Sequence, residues 1–257
     1  MAEEGRRLVE RARERGVTLR LIGGLAVLDH CVELAFCGRD HSDLDMVGLS
    51  RQVNELAEVL AHSGYAERLH VRVASTSSQA QFVRPCRHLR SDRAGTLHDD
   101  DHVDVFLDVF RMDHTIDLRR RLELDPYTVS ASDLLLSKLQ VFRAEPHDVR
   151  DMLTLLKDLE LADDDGPGML NVSYIAQACA RDWGLFYDVS TNLRRSREAA
   201  SEDGLDAGAR GRVDAAVARL LRALDEEPKP LSWRLRAKVG TRRPWHAEVE
   251  EQDGAPA

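Results

Sequence analysis

Asp43-Leu44-Asp45 follows Gly23-Gly24 by about twenty residues, and both pairs are of residue types that support chemistry. On a strand, side chains alternate between faces, so two carboxylates separated by one residue point the same way. Such a pair suits divalent metal ions. A Gly-Gly turn ahead of a helix leaves backbone N–H groups open to a close phosphate. Together the two pairs point to metal-assisted chemistry on a nucleoside triphosphate.

Two-metal phosphoryl chemistry holds its ions about 3.5–4 Å apart, and a pair of aspartates usually needs a third ligand. The apolar run Val103 to Phe110 offers Asp104 and Asp108 on one face, with Val103, Val105, Leu107 and Val109 on the other. Four strand residues span about 13 Å, so the two aspartates do not serve one cluster. Asp104 lies at the start of the run, near solvent, and is chosen. Asp108, deeper in the run, reads as an edge or partner-facing carboxylate.

The elements that must position these residues are legible in outline. Residues 2–15 form an amphipathic helix stopped at Gly16, and Val17 to Ile22 a short strand delivering Gly23-Gly24. Leu25 to Val32 is an apolar helix, 43–48 a strand, and Arg51 to Ser63 a helix with Val53, Leu56 and Leu60 at helical spacing. Leu69 to Ala74 and Gln81 to Val83 are weaker strands, and His98 to His102 a polar turn before the Val103 strand. From Ser130, with Asp133 in a capping-box position, the texture becomes helical. A further helix spans Val149 to Leu159, Asp163 to Gly168 reads as a linker, and more helices run from Val172 to Leu224. The expected fold class is α+β: a mixed sheet flanked by helices over 1–128, a helical domain over 129–227, and a basic-then-acidic, partly flexible tail over 228–257.

Composition narrows the setting. The chain has 257 residues, 32% charged and 43% hydrophobic, with a formal net charge of −9. That balance describes a soluble globular protein and argues against global attraction to nucleic acid or anionic membrane. No apolar run approaches the roughly 20 residues that span a bilayer, and the start is charged rather than signal-like. Cys31, Cys37, Cys86 and Cys179 show no framework spacing, so the expectation is free thiols in a cytoplasmic, bacterial-type protein.

Ile22-Gly23-Gly24, Asp43-Leu44-Asp45 and Val103-Asp104-Val105-Phe106 together resemble the nucleotidyltransferase superfamily with the DNA-polymerase-β-like fold. Ser132 to Gln140, containing Lys138, and His147-Asp148-Val149-Arg150-Asp151 resemble the branch that includes abortive-infection-type toxins. The resemblance covers roughly residues 18–157. It implies Mg²⁺ on Asp43 and Asp45, with Asp104 as metal ligand or as the base that activates the acceptor. It also implies Gly23 and Gly24 against the triphosphate and Lys138 on a phosphate. The reaction would move a nucleoside monophosphate to an acceptor and release pyrophosphate. The acceptor would be RNA, as for toxin-type relatives with a partner antitoxin, or a protein or small molecule. Two departures stand out: a long interval between Gly24 and Asp43, and His147 where the branch often has lysine.

Plainer readings accompany each motif. Lys138 equally fits a snorkelling surface lysine. Asp148 and Asp151 begin a helix, where capping suits at least one. Arg39 steers phosphate or is an ordinary loop cation. His30-Cys31, Cys37 and His41 lack zinc-finger spacing, and His98 to His102 reads as a solvated acidic turn. The stretch Trp233 to Trp245, with Arg234, Arg236, Lys238, Arg242 and Arg243, could touch RNA but better fits a tail lying on the acidic body. Two rival functions remain: a nucleotide-binding or interaction protein on the same fold without turnover, and an antibiotic-modifying transferase.

Overall fold

Helix α1 (Ala2–Glu14) follows the amphipathic rule: Leu8, Val9 and Ala12 are fully buried, and acidic residues stand in its first turn. It lies on a five-stranded sheet ordered β1 (Leu19–Leu21), β2 (Asp43–Gly48), β5 (Leu97–Leu107), β4 (Gln79–Ser91), β3 (Ala66–Glu67). The structure is a computed structural model; it describes residues 1–38, 43–68, 78–91, 97–202 and 204–246, with side chains described except at 85–91 and 97–100. β2 and β5 run parallel, and every other neighbouring pair in the sheet is antiparallel.

Alternation decides the faces. Leu44, Met46, Val103, Val105 and Ala80 are all 0% exposed and point to the side covered by α1 and α4 (Val53–Ala61). Burying each large aliphatic side chain contributes about 1.5–3 kcal/mol. Close approach of α1 depends on Gly5, where a Cβ would stand 2.7 Å from Leu21 Cδ2 and 3.0 Å from Leu44 Cδ2. Arg84 ties this face to the sheet. It pairs with Glu4 (2.8 Å) on α1 and Asp101 (3.0 Å) on β5, and stacks on Tyr65.

Several element boundaries differ from expectation. The acidic stretch before Val103 is strand rather than turn, because β4 extends from Gln79 to Ser91 and pairs with β5 as far back as Leu97. Cross-strand pairing overrides the low strand propensity of consecutive aspartates. The expected strand over 103–110 breaks at Asp108, whose φ of 66° turns the chain into a hairpin of β6 (Val109–Arg111) and β7 (Thr115–Asp117). The expected strand Leu69 to Ala74 lies outside the described residues.

The C-terminal half is helical: α5 (Ala131–Leu139), α6 (Pro146–Asp158), α7 (Val172–Arg181), α8 (Trp183–Glu202), α9 (Ala207–Glu226) and α10 (Leu231–Val239). Asp163 to Gly168, read as a linker, connects elements within the helical half. It joins two short parallel strands, β8 (Glu160–Ala162) and β9 (Met169–Asn171), and Asp165 and Asp163 are held by Arg121 and Arg219. Part of the expected tail is docked. Trp233 Nε1 donates to the Cys179 carbonyl (3.1 Å) and Trp245 Nε1 to Asp188 (3.1 Å), while Arg236 bonds backbone carbonyls rather than acidic side chains. Indole rings bury a large apolar area and satisfy their one donor here. Cys31 and Cys37 are disulfide-bonded, contrary to the free-thiol expectation, because the end of α2 (Gly23–Asp29) and α3 (Leu34–Cys37) bring their Cα atoms to 6.5 Å. Cys179 is a buried free thiol.

Candidate active site

The second sheet face carries the carboxylates. Parallel pairing of β2 with β5 sets Asp45 directly opposite Asp104 and Asp43 opposite His102. β4 continues the row: Gln81 is opposite Asp104, and Gln79 opposite Phe106. One face at this end of the sheet therefore presents Asp43, Asp45, His102, Asp104 and Gln81 on three adjacent strands. Strands in hydrogen-bonding register lie about 4.8 Å apart, which brings these side chains into mutual reach.

Gly23 adjoins this row. The Ile22 amide donates to the Asp45 carbonyl (3.0 Å), so β1 delivers the glycine turn onto β2. Gly23 has φ +75°, and a Cβ there would stand 2.5 Å from Asp45 Oδ2. Both conditions favour glycine. Gly24 follows within the first turn of α2, which packs between β2 and the helical half through α5 and α6. The segment before α5 holds the junction, with Leu21 N bonded to the Tyr127 carbonyl and Val129 N to the Leu21 carbonyl (both 2.9 Å).

Asp104 accepts from Gln81 Nε2 (3.0 Å) and Gln79 Nε2 (3.5 Å). Burial pushes its pKa up, the Gln81 hydrogen bond opposes this, and the charge of Asp43 adds to the rise. A carboxylate destabilised by burial and a like-charged neighbour is one that a cation would stabilise. Among the described residues, no group of three or more His, Cys, Asp and Glu side chains is gathered tightly enough to hold a metal ion as positioned. Asp104 is turned to its glutamines, and like charges do not converge unaided. The donor set nevertheless fits Mg²⁺, a hard ion that takes carboxylate oxygens, and the space at Gly23 Cα leaves Asp45 uncrowded.

Asp108 takes no part in this row. It accepts from Ser50 N (3.0 Å) and Ser50 Oγ (2.5 Å), pinning the left-handed corner after β5. It is thus a turn anchor rather than an edge carboxylate.

Lys138 is placed differently from the expectation of a phosphate contact. Its ammonium lies 3.1 Å from Asp148 and 2.9 Å from Asp151, with the side chain 11% exposed. Burial opposes its charge, but the two carboxylates outweigh that and raise its pKa. Lys138 therefore clamps α5 to α6, and a phosphate would have to share or displace one carboxylate. Asp148 has a second role, as N3 of a capping box with Glu145. Burial would raise its pKa; Lys138 and then His147 bring it below the ordinary carboxylate range. Arg39 lies outside the described residues.

Sequence reading took His102 as part of a solvated acidic turn and passed over Gln79 and Gln81. Their signal was present in the alternation Gln79-Ala80-Gln81-Phe82, with Ala80 and Phe82 in the core. It also passed over a buried network around Asp133. That residue resembled a capping partner, and Ser130 does cap α5 through the Asp133 amide (3.2 Å). Its carboxylate instead pairs with Arg121 (2.7 Å) and accepts from Tyr174 Oη (2.5 Å).

No protein family matches the chain, and no curated protein shows significant similarity to it. No helix among the described residues is long and apolar enough to cross a membrane. The α+β architecture, a small mixed sheet flanked by helices and followed by a helical half, stands on the geometry alone.

Proposed function

We propose that the chain is a Mg²⁺-dependent nucleotidyltransferase that moves a nucleoside monophosphate from a nucleoside triphosphate to an acceptor and releases pyrophosphate. One observation carries this reading: β2–β5 register aligns Asp45 with Asp104, beside Asp43 and against the Gly23 turn. Asp43 and Asp45 would hold Mg²⁺, which supplies charge neutralisation on the transferring phosphate. Gly23 and Gly24 let the triphosphate approach backbone N–H groups at the start of α2. Asp104, its pKa raised by burial and by Asp43, suits the base that takes the acceptor's proton as the acceptor oxygen attacks the α-phosphorus. Gln81 and Gln79 position that carboxylate. RNA is the acceptor we favour, in a toxin paired with an antitoxin protein; a protein or small molecule fits the same chemistry. A cytoplasmic setting agrees with the composition, whereas the Cys31–Cys37 disulfide favours an oxidising one.

The test incubates the protein with each labelled triphosphate, Mg²⁺ and total RNA. Labelled product that disappears in Asp43→Asn and Asp45→Asn supports the reading; no product with any triphosphate or acceptor defeats it. A readout independent of turnover is the NMR titration of Asp104, whose pKa falls in Asp43→Asn.

The engagement of Lys138 by Asp148 and Asp151 favours a second reading, a nucleotide-binding protein on the same scaffold without turnover. Triphosphate binding with no transfer, and a cellular phenotype that survives Asp43→Asn with Asp45→Asn, would select it.

A further inference from the structure

A cleft of about 730 Å³ opens between the β7 strand, the loop after it, and helices α5, α7 and the start of α8. None of the carboxylates discussed above lines it. Its charged lining is four arginines (Arg119, Arg120, Arg121, Arg181) against two aspartates (Asp117, Asp182). The chain as a whole carries a net charge of −9, so an excess of arginines in one cleft runs against the overall balance.

The partners separate these charges into two groups. Arg119 is spent on Asp117, with Nε 2.9 and 3.1 Å from its two oxygens. Arg121 is spent on Asp133 and Asp165, and its guanidinium lies 3.5 Å from the Tyr174 ring centroid. Asp182 accepts from the Gly184 amide (2.7 Å) and faces His114 Nδ1 (3.7 Å). Arg120 and Arg181 remain. Both are exposed, both line the cleft, and neither has an ion pair or hydrogen bond among the described residues. They come from different elements, one from the loop after β7 and one from the last turn of α7. Each offers a planar fork that matches phosphate oxygens in pairs.

We propose that this cleft binds a small organic phosphate bearing at least two negative charges, its phosphates taken by Arg120 and Arg181. The volume lies in the range of small-molecule pockets, roughly 300–1,000 Å³, and too small for a duplex. The net negative charge of the chain disfavours an extended polyanion more than a small ligand held within the cleft. Apolar side chains of Ile116, Leu136 and Leu185 form part of the wall and suit the organic body. The site is distinct from the Asp43–Asp104 row and would operate whether or not that row turns over.

The test is calorimetric titration of the full chain with inorganic pyrophosphate in EDTA, which removes divalent metals. Binding to the wild type and to Asp43→Asn/Asp45→Asn, weakened about tenfold or more in Arg120→Gln/Arg181→Gln, supports the proposal. Both arginines are exposed, and unchanged melting of the variant excludes misfolding. Absence of pyrophosphate binding by the wild type, or undiminished binding by the arginine variant, overturns it. So does binding lost only in the aspartate variant. A labelled single-stranded RNA bound through the same arginines, with pyrophosphate inert, would overturn the small-ligand assignment in favour of nucleic acid.

Discussion

Replacing Gly23 with alanine probes the contact on which the candidate active site rests. Two penalties add. The left-handed backbone at φ +75° costs a residue with a Cβ about 1–2 kcal/mol. The new Cβ also falls 2.5 Å from Asp45 Oδ2 and 3.2 Å from Asp45 Cβ, so the carboxylate must leave its place beside Asp104. An off-rotamer shift of that kind costs about 0.5–1.5 kcal/mol more. Gly16 provides the control: its φ is +69°, and nothing lies within 4 Å of a Cβ there. Gly16→Ala should therefore lose about 1–2 kcal/mol, from the backbone alone. Gly23→Ala should lose about 1.5–3.5 kcal/mol, the sum of the two penalties. For a chain of this size each kcal/mol lowers Tm by about 2–4 °C, well within the resolution of thermal or urea denaturation. In an Asp45→Ala background most of the excess should vanish, as a double-mutant cycle would record. If Gly23→Ala melts like Gly16→Ala, and the excess does not depend on Asp45, the packing of the glycine turn against the carboxylate is refuted.

Two further outcomes follow from buried charges outside the site. Burial alone would lower the His114 pKa, but the carboxylate of Asp182 (3.7 Å) and then that of Asp188, hydrogen-bonded at 2.7 Å, raise it to about 9. Because the folded-state pKa is raised, the stabilisation is fully present below the unfolded value near 6.5 and is lost as pH climbs through about 9. At order-of-magnitude level it amounts to about 3 kcal/mol at 1.36 kcal/mol per unit, and urea melts of His114→Gln across that window should lose most of the slope. Arg121→Met strands the Asp133 carboxylate, which is 0% exposed, at a cost of about 3–5 kcal/mol. Adding Asp133→Asn should return part of the lost Tm, and no recovery would argue against a charge-driven effect.

The local signals in the sequence were those whose cause is local. Gly23-Gly24 after an apolar strand, the 3.6 periodicity of α1, and Ser130 at the start of α5 depend on backbone conformation and on neighbours within a turn. Alternation within β2 placed Asp43 and Asp45 on one face. Strand length separated Asp104 from Asp108, the place of Asp104 at the start of the run selected it, and register then set it opposite Asp45. Pairing overrode propensity at His98 to His102, where β4 recruits an acidic stretch into β5. The single strand expected over 103–110 missed the corner at Asp108, because its stabiliser, Ser50, lies 58 positions away.

By itself, then, the sequence determined which residues are candidates for chemistry and which local conformations hold them, since periodicity, turns and caps arise from near neighbours. Only the tertiary structure decided which of those residues meet. The row of Asp45, Asp104 and Gln81 is a matter of strand order and register. The capture of Lys138 by Asp148 and Asp151 depends on how α5 packs on α6. Arg120 and Arg181, without an ion pair among the described residues, line one cleft because α7 packs beside the loop after β7, and Arg121 is taken by Asp165 from 44 positions away. Charges in a folded chain are assigned by proximity in space, and a one-dimensional pattern carries that only where the fold keeps neighbours together.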